Sequence, residues 1–209
     1  VYKRQVRAGS KAEMALPDGT FVHLNAATNL EYDVNNSKQR LVKLSGEAFF
    51  DVAKNPDCPF KVIINDLQIE VVGTSFNVKT YKKDIVETSL LSGRIRISGG
   101  SLPHEYTLSP GQKATYSAMD RTLRISKADA HVEAGWRDNY LIFESTPLID
   151  VIAQIERWYG VEIRLHHKQI AQDLLSGSFR NESIQNVIRS LSIQYGFKYE
   201  IHKDIITIY

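Results

Sequence analysis

The chain has 209 residues, 43% of them hydrophobic, enough for one large or two small domains with proper cores and too apolar for a disordered segment. Its formal charge is +2 with both signs mixed along the sequence, so it lacks the basic stripe that nucleic-acid binding needs. Cys58 is the sole cysteine, which excludes an internal disulfide and a cysteine-built zinc site, and no apolar run approaches the length of a membrane span.

From Met14 to about Lys127, short strand patterns recur between turn signals, as in an all-β sandwich or barrel. In Leu16-Pro-Asp-Gly-Thr20, Pro17 fixes φ, Asp18 bonds back to the chain and Gly19 accepts a positive φ, so Thr20 to Leu24 reads as the returning strand. Leu44-Ser-Gly-Glu-Ala-Phe-Phe-Asp-Val52 and Val72-Gly-Thr-Ser-Phe-Asn-Val78 have the same character, a strand interrupted by a glycine kink. Arg94–Ile97 and Lys113–Tyr116 alternate polar with apolar, which predicts one wet face and one core face. Phe60–Ile64 and Ile69–Val72 are more continuously apolar, as buried strands are. Gly46, Gly73, Gly93 and Gly111 fall at strand edges or within strands, where glycine marks a bulge or a close backbone approach, and Gly99-Gly100 marks a loop tip.

After about His131 the pattern changes to an internal repeat. Phe143–Ile163 lines up with Phe179–Tyr199, and Phe143/Phe179, Val151/Val187, Ile152/Ile188, Tyr159/Tyr195 and Gly160/Gly196 are identical pairs. Each copy reads as one β-α-β unit. In the first, Thr146 is the predicted N-cap, Pro147 opens the helix, Leu148, Val151, Ile152, Ile155 and Tyr159 form its apolar stripe, and Gly160 ends it before a strand over Val161–Leu165. The second repeats this with Ile184, Val187, Ile188, Leu191 and Tyr195, a stop at Gly196 and a strand over Phe197–Ile201; Ile205–Ile208 closes the chain. The expected architecture is a jelly-roll-like β-sandwich over residues 1–132 followed by an α+β domain over 133–209, with two helices on a small sheet and Trp136 packing between the domains.

Chemistry is sparse in this pattern. His23, His104, His131, His166, His167 and His202 are scattered with no metal-binding spacing, and phosphate loops, dinucleotide fingerprints and nucleophile elbows are absent. Neither a metal nor a cofactor is expected. Glu47 and Asp51 could face one side of a strand as an acid pair, but Lys43 shares their parity and a solvated face accounts for all three. Trp136 and Trp158 could stack on sugar rings, the basis of an alternative reading as a carbohydrate-binding module; packing at a domain junction and at a helix end explains them as well. Gly73-Thr74 is the one bond with conceivable covalent chemistry, an attack of the Thr74 hydroxyl on the Gly73 carbonyl followed by hydrolysis of the ester.

The three glycine-bearing stretches, with Pro59-Phe-Lys-Val62, Leu108-Ser-Pro-Gly-Gln112 and Trp136 in this order, resemble the periplasmic part of the FecR family of sigma-factor regulators. Leu141–Leu148 through Arg157-Trp-Tyr-Gly-Val161 looks like the domain that follows in Bacteroidetes-type members, itself similar to the secretin and TonB short N-terminal domain. The resemblance implies a non-enzymatic sensor anchored in the inner membrane by a helix upstream of Val1. Its cytoplasmic segment would hold an extracytoplasmic-function sigma factor, and its periplasmic portion would bind the N-terminal signalling domain of a TonB-dependent outer-membrane transporter. Some members cleave themselves at a Gly-Thr bond, and Gly73-Thr74 matches that position. The expected binding element is an exposed sheet edge at the last strand, Ile205, Ile206, Thr207 and Ile208.

Overall fold

In the computed structural model, which describes residues 1–35, 39–166 and 168–209, the chain falls into two units. Val1–Val6 and Lys11–Ala134 form the first; Arg7–Ser10 and Gly135–Tyr209 form the second. His167 lies outside the described residues.

The first unit runs β1 (Tyr2–Val6), β2 (Ala12–Ala15), β3 (Phe21–Leu24), β4 (Thr28–Asn35), β5 (Gln39–Ser45), β6 (Glu47–Asp51), β7 (Phe60–Ile64), β8 (Leu67–Val71), β9 (Ser75–Lys79), β10 (Ile85–Ser92), β11 (Ile95–Gly99), β12 (Tyr106–Leu108), β13 (Gln112–Ser117) and β14 (Thr122–Lys127), then a single helical turn, α1 (Ala130–Ala134). They form two seven-stranded sheets, ordered β1-β4-β5-β7-β8-β11-β12 and β14-β13-β10-β9-β6-β3-β2. Pairing is antiparallel except between β5 and β7. Alternate residues point inward, as the period of two requires: Val42 and Leu44 on β5, Phe60, Val62 and Ile64 on β7, Leu67, Ile69 and Val71 on β8. The sheets meet in one core, where Phe50 of β6 packs its ring 5.8 Å from Phe60 and 5.3 Å from Phe76. β7 and β8 alternate buried with half-buried residues rather than being buried on both faces, because one side of their sheet carries Lys61, Gln68 and Glu70.

The glycines mark the corners of this sandwich. Gly46 stands between β5 and β6, Gly73 between β8 and β9, Gly93 between β10 and β11, and Gly111 between β12 and β13, each a place where the chain leaves one sheet for the other. At Gly46 the reason is steric: φ is +119° and an added Cβ would lie 2.4 Å from Thr28 Oγ1 and 2.7 Å from Thr28 Cα.

The second unit contains β15 (Tyr140–Pro147), α2 (Leu148–Tyr159), β16 (Glu162–Leu165), β17 (Leu174–Arg180), α3 (Ile184–Tyr195), β18 (Tyr199–His202) and β19 (Ile205–Ile208). The two copies of the repeat are therefore β15-α2-β16 and β17-α3-β18. Instead of one small sheet there are two: β15 pairs with β17 antiparallel, while β16, β19 and β18 form a three-stranded sheet with β19 in the middle. The helices bury the predicted stripes, Leu148, Val151, Ile152 and Ile155 on α2 and Val187, Ile188 and Leu191 on α3, in a core shared with Leu141, Phe143, Ile206 and Ile208. Both end at a left-handed glycine, Gly160 and Gly196. Their starts differ. Ser183 caps α3 by accepting the Asn186 N–H at 3.2 Å, whereas α2 has no side-chain cap: Pro147 occupies the cap position, and the Thr146 hydroxyl accepts the Glu144 N–H at 3.1 Å. β15 thus continues directly into α2, which displaces the predicted cap by one residue.

Candidate recognition surface

The stretches singled out in the first unit turn out to fasten its corners. Asp18 accepts the Thr20 N–H at 3.0 Å and hydroxyl at 2.8 Å, and its Oδ2 also takes Arg40 Nε at 2.8 Å. The Arg40 side chain is wholly buried, gives its remaining nitrogens to the carbonyls of Cys58 and Ala53, and lies 5.5 Å over the Phe60 ring. One guanidinium thus ties the Pro17-Asp18-Gly19 turn to the long β6–β7 connection. Around Gly46, the Glu47 N–H donates to Thr28 Oγ1 at 3.0 Å and the Gly46 N–H to Thr80 Oγ1 at 2.8 Å.

Glu47 and Asp51 do not form an acid pair, and Glu47 is not on a solvated face. It is 7% exposed, with its two oxygens held by Asn25 Nδ2 at 2.7 Å and Asn77 Nδ2 at 2.9 Å; Asp51 is exposed and accepts from Ser75. Lys43 lies on β5 in the other sheet, so the corner at Gly46 breaks the shared parity. Lys113 is clamped between Glu133 at 2.7 Å and Glu87 at 3.5 Å, and these carboxylates outweigh burial and raise its pKa.

At Gly73-Thr74 the chain turns from β8 into β9. Thr74 is 3% exposed, its hydroxyl donates to the Arg94 carbonyl at 3.1 Å, and its own carbonyl takes the Val52 N–H at 3.0 Å. The Gly73 carbonyl faces Gly93, where a Cβ would come within 2.8 Å of it. This arrangement fastens three segments at one corner. Among the described residues no histidine, cysteine, aspartate and glutamate cluster could hold a metal.

In the second unit the expected edge strand is not an edge. Ile205, Ile206, Thr207 and Ile208 pair with β16 on one side and β18 on the other, and Ile206 and Ile208 are buried. The chain order hides this, because the last strand inserts between two earlier ones. The open edges belong to β16 and β18. On β16, the Ile163 N–H is taken by the Glu156 carboxylate at 2.7 Å. On β18, Lys198 and Tyr209 exchange both backbone hydrogen bonds, so by antiparallel alternation Glu200 and His202 face β19 while the N–H and C=O of Tyr199 and Ile201 point away from it. Trp136 is buried in the 3-10 turn Gly135–Asp138, and Trp158 is half-buried at the end of α2.

A family model described as FecR protein matches residues 3–96, and one described as FecR, C-terminal, matches residues 140–208. Two crystal structures of a candidate anti-sigma factor from Parabacteroides distasonis ATCC 8503 superpose on the chain with a TM-score of 0.89 each, at 29% and 30% identity. Each covers all of this chain, which in turn covers 99% and 98% of theirs. The chain belongs to the FecR family. Among curated proteins none matches. Membership makes this a regulator of sigma-factor activity and places it in a non-enzymatic class. FecR proteins are membrane-anchored; among the described residues no helix is long and apolar enough to cross a membrane.

Sequence reasoning missed that β16 and β18 are the edges of the three-stranded sheet. It also missed a cavity of about 180 Å³ in the FecR C-terminal region, lined by Asn139, Leu141, Trp158, Tyr159, Phe179, Asn181 and Glu182. The signal that could have found it is a break in the repeat: Trp158 of the first copy corresponds to Gln194 of the second.

Proposed function

We propose that this chain is the periplasmic sensor portion of an inner-membrane anti-sigma factor, with residues 1–132 as scaffold and residues 133–209 as the recognition domain. It binds the N-terminal signalling domain of a TonB-dependent outer-membrane transporter and relays the transporter's state to an extracytoplasmic-function sigma factor held by a cytoplasmic segment. The observation that carries the reading is the outward-facing edge of β18 in the region matched by the FecR C-terminal model. Strand addition there satisfies backbone groups of both partners without demanding one sequence.

The test is binding of the purified transporter signalling domain to this chain and to its Ile201→Pro variant. The Ile201 N–H points away from β19, so proline removes an edge donor without breaking a ladder bond. A loss of at least about tenfold in affinity, about 1.4 kcal/mol, with an unchanged circular dichroism spectrum is expected. Unchanged affinity would rule out docking at this edge, and no binding by the parent chain would overturn the transporter reading.

A second reading, self-cleavage at Gly73-Thr74, draws on the packing of the Gly73 carbonyl and Thr74 hydroxyl together against Gly93. Attack would convert the amide to an ester, the hydroxyl proton passing to the Thr74 nitrogen, and water would then release a Gly73 carboxylate. Denaturing intact mass of the parent beside Thr74→Ala decides it: two fragments meeting at this bond only in the parent support cleavage, and one full-length species in both rejects it.

A further inference from the structure

The cavity beside α2 has a floor and a wall of different chemistry. Leu141 and Phe179 are cross-strand partners on β15 and β17, and Asn139 and Asn181, two residues further along each chain segment, share their parity at the end of the ladder. Both asparagines are in the left-handed conformation, and the Asn181 N–H reaches the Asn139 carbonyl at 3.3 Å, which closes the ladder. Trp158 and Tyr159, the last residues of α2, form the wall. Glu182 stands at the rim; its Oε2 accepts from Asn186 Nδ2 at 2.9 Å, and its backbone carbonyl accepts the Tyr159 hydroxyl at 2.9 Å. Burial, with the Glu182 carboxylate nearby, pushes the Tyr159 phenol up to about 12, so it stays a donor and adds no charge to the rim.

The repeat shows that Leu141 and Trp158 are not needed to pack a helix on this core, whereas Tyr159 is kept as Tyr195. In the second copy Leu141 is replaced by Gly177 and Trp158 by Gln194, yet α3 packs its stripe into the same core as α2. The first copy therefore adds Trp158 and Leu141 to the shared tyrosine, and among the described lining residues Glu182 is the charged one. At about 180 Å³ the space is below the roughly 300 Å³ where small-molecule sites begin, and matches a single side chain.

We propose that this cavity is an arginine-accepting pocket for a protein partner: the aliphatic stem lies over Leu141 and Phe179, the guanidinium stacks on Trp158 and Tyr159, and its N–H groups meet Glu182 and the two asparagine carbonyls. The proposal rests on reading this unit as a recognition module, and its test needs no transporter. Isotope-labelled full chain is titrated with Nα-acetyl-L-arginine amide while backbone amide resonances are followed. Saturable shifts confined to Asn139, Trp158, Asn181 and Glu182 are expected, with at least fivefold weaker binding to Glu182→Gln and to Trp158→Gln. The citrulline analogue, equal in shape and uncharged, should bind at least fivefold more weakly. Absence of saturation, equal binding of the citrulline analogue, or full retention in Glu182→Gln would each overturn it.

Discussion

The two units of this FecR-family chain spend their polar residues differently. In the sandwich, buried polar side chains tie loop to loop: Arg40 joins the Asp18 turn to the β6–β7 connection, Glu47 holds Asn25 and Asn77, and Thr74 bonds the Arg94 carbonyl. In the C-terminal unit the core is a doubled apolar stripe, and the polar groups collect at its margins: the outward backbone of β18, the Glu156 carboxylate on the β16 edge, and the Asn139, Asn181 and Glu182 rim. A unit whose polar atoms are consumed internally is suited to hold a shape. One whose apolar core is complete and whose polar groups stay at open edges is suited to receive a partner.

The strongest way to break this contrast is Arg40→Met. It removes three hydrogen bonds at once and leaves Asp18, buried beside it, with no cation. Breaking a buried pair from one side costs about 3–5 kcal/mol. Both tryptophans lie in the second unit, so their fluorescence follows that unit, while far-ultraviolet circular dichroism is dominated by the strands of the first. The expected result is a large drop in the denaturant midpoint seen by circular dichroism and a smaller change by fluorescence. Coincident shifts would mean that the units unfold as one and that the division of labour is not energetic.

Much of this was legible in the sequence, and the limits follow from which interactions are local. Turn chemistry at Pro17-Asp18-Gly19 and the helical stripes from Leu148 and Ile184 act over a few residues, so pattern alone located them. Glycine at the corners was also legible as scaffold, although not that each corner is a change of sheet. That omission misplaced Glu47, since parity counted from Lys43 does not survive the turn at Gly46. The N-terminal strand was missed because Tyr2–Val6 has mostly exposed residues and owes its form to pairing with β4. Strand order is the least local property of all. Nothing within Ile205–Ile208 tells whether it has one neighbour or two, and a pocket rim built from Asn139, Asn181 and Glu182 has no spacing to recognise.

A sharper comparison lies within the repeat itself. Ser183→Ala removes the hydroxyl that caps α3 and should cost about 1 kcal/mol, whereas Thr146→Ala, at the position predicted to cap α2, removes two local, exposed bonds to the Glu144 backbone and no helix cap, and should cost less. Chemical denaturation followed by tryptophan fluorescence measures both. Equal losses would mean that the Thr146 hydroxyl supports the start of α2 through the β15 bend despite lying one residue before the cap.

The effect expected at Tyr159 is also modest, and its size depends on pH. The phenol is held neutral by burial and by the Glu182 carboxylate, with a folded value of about 12 against about 10 in the unfolded chain. Below pH 10 both states carry the proton and the contribution is complete. Between pH 10 and 12 the unfolded chain ionises first, so it binds fewer protons than the folded one and stability falls as pH rises. Tyr159→Phe loses one hydrogen bond to the Glu182 carbonyl, about 0.5–1.5 kcal/mol at neutral pH, and should close on the parent as pH passes 10. The measurement is the difference in denaturant midpoint between the two proteins from pH 7 to 11. A constant difference would show that Tyr159 titrates normally and that its end of the α2 wall is open to water, which would also weaken the case for a dry aromatic side to the pocket.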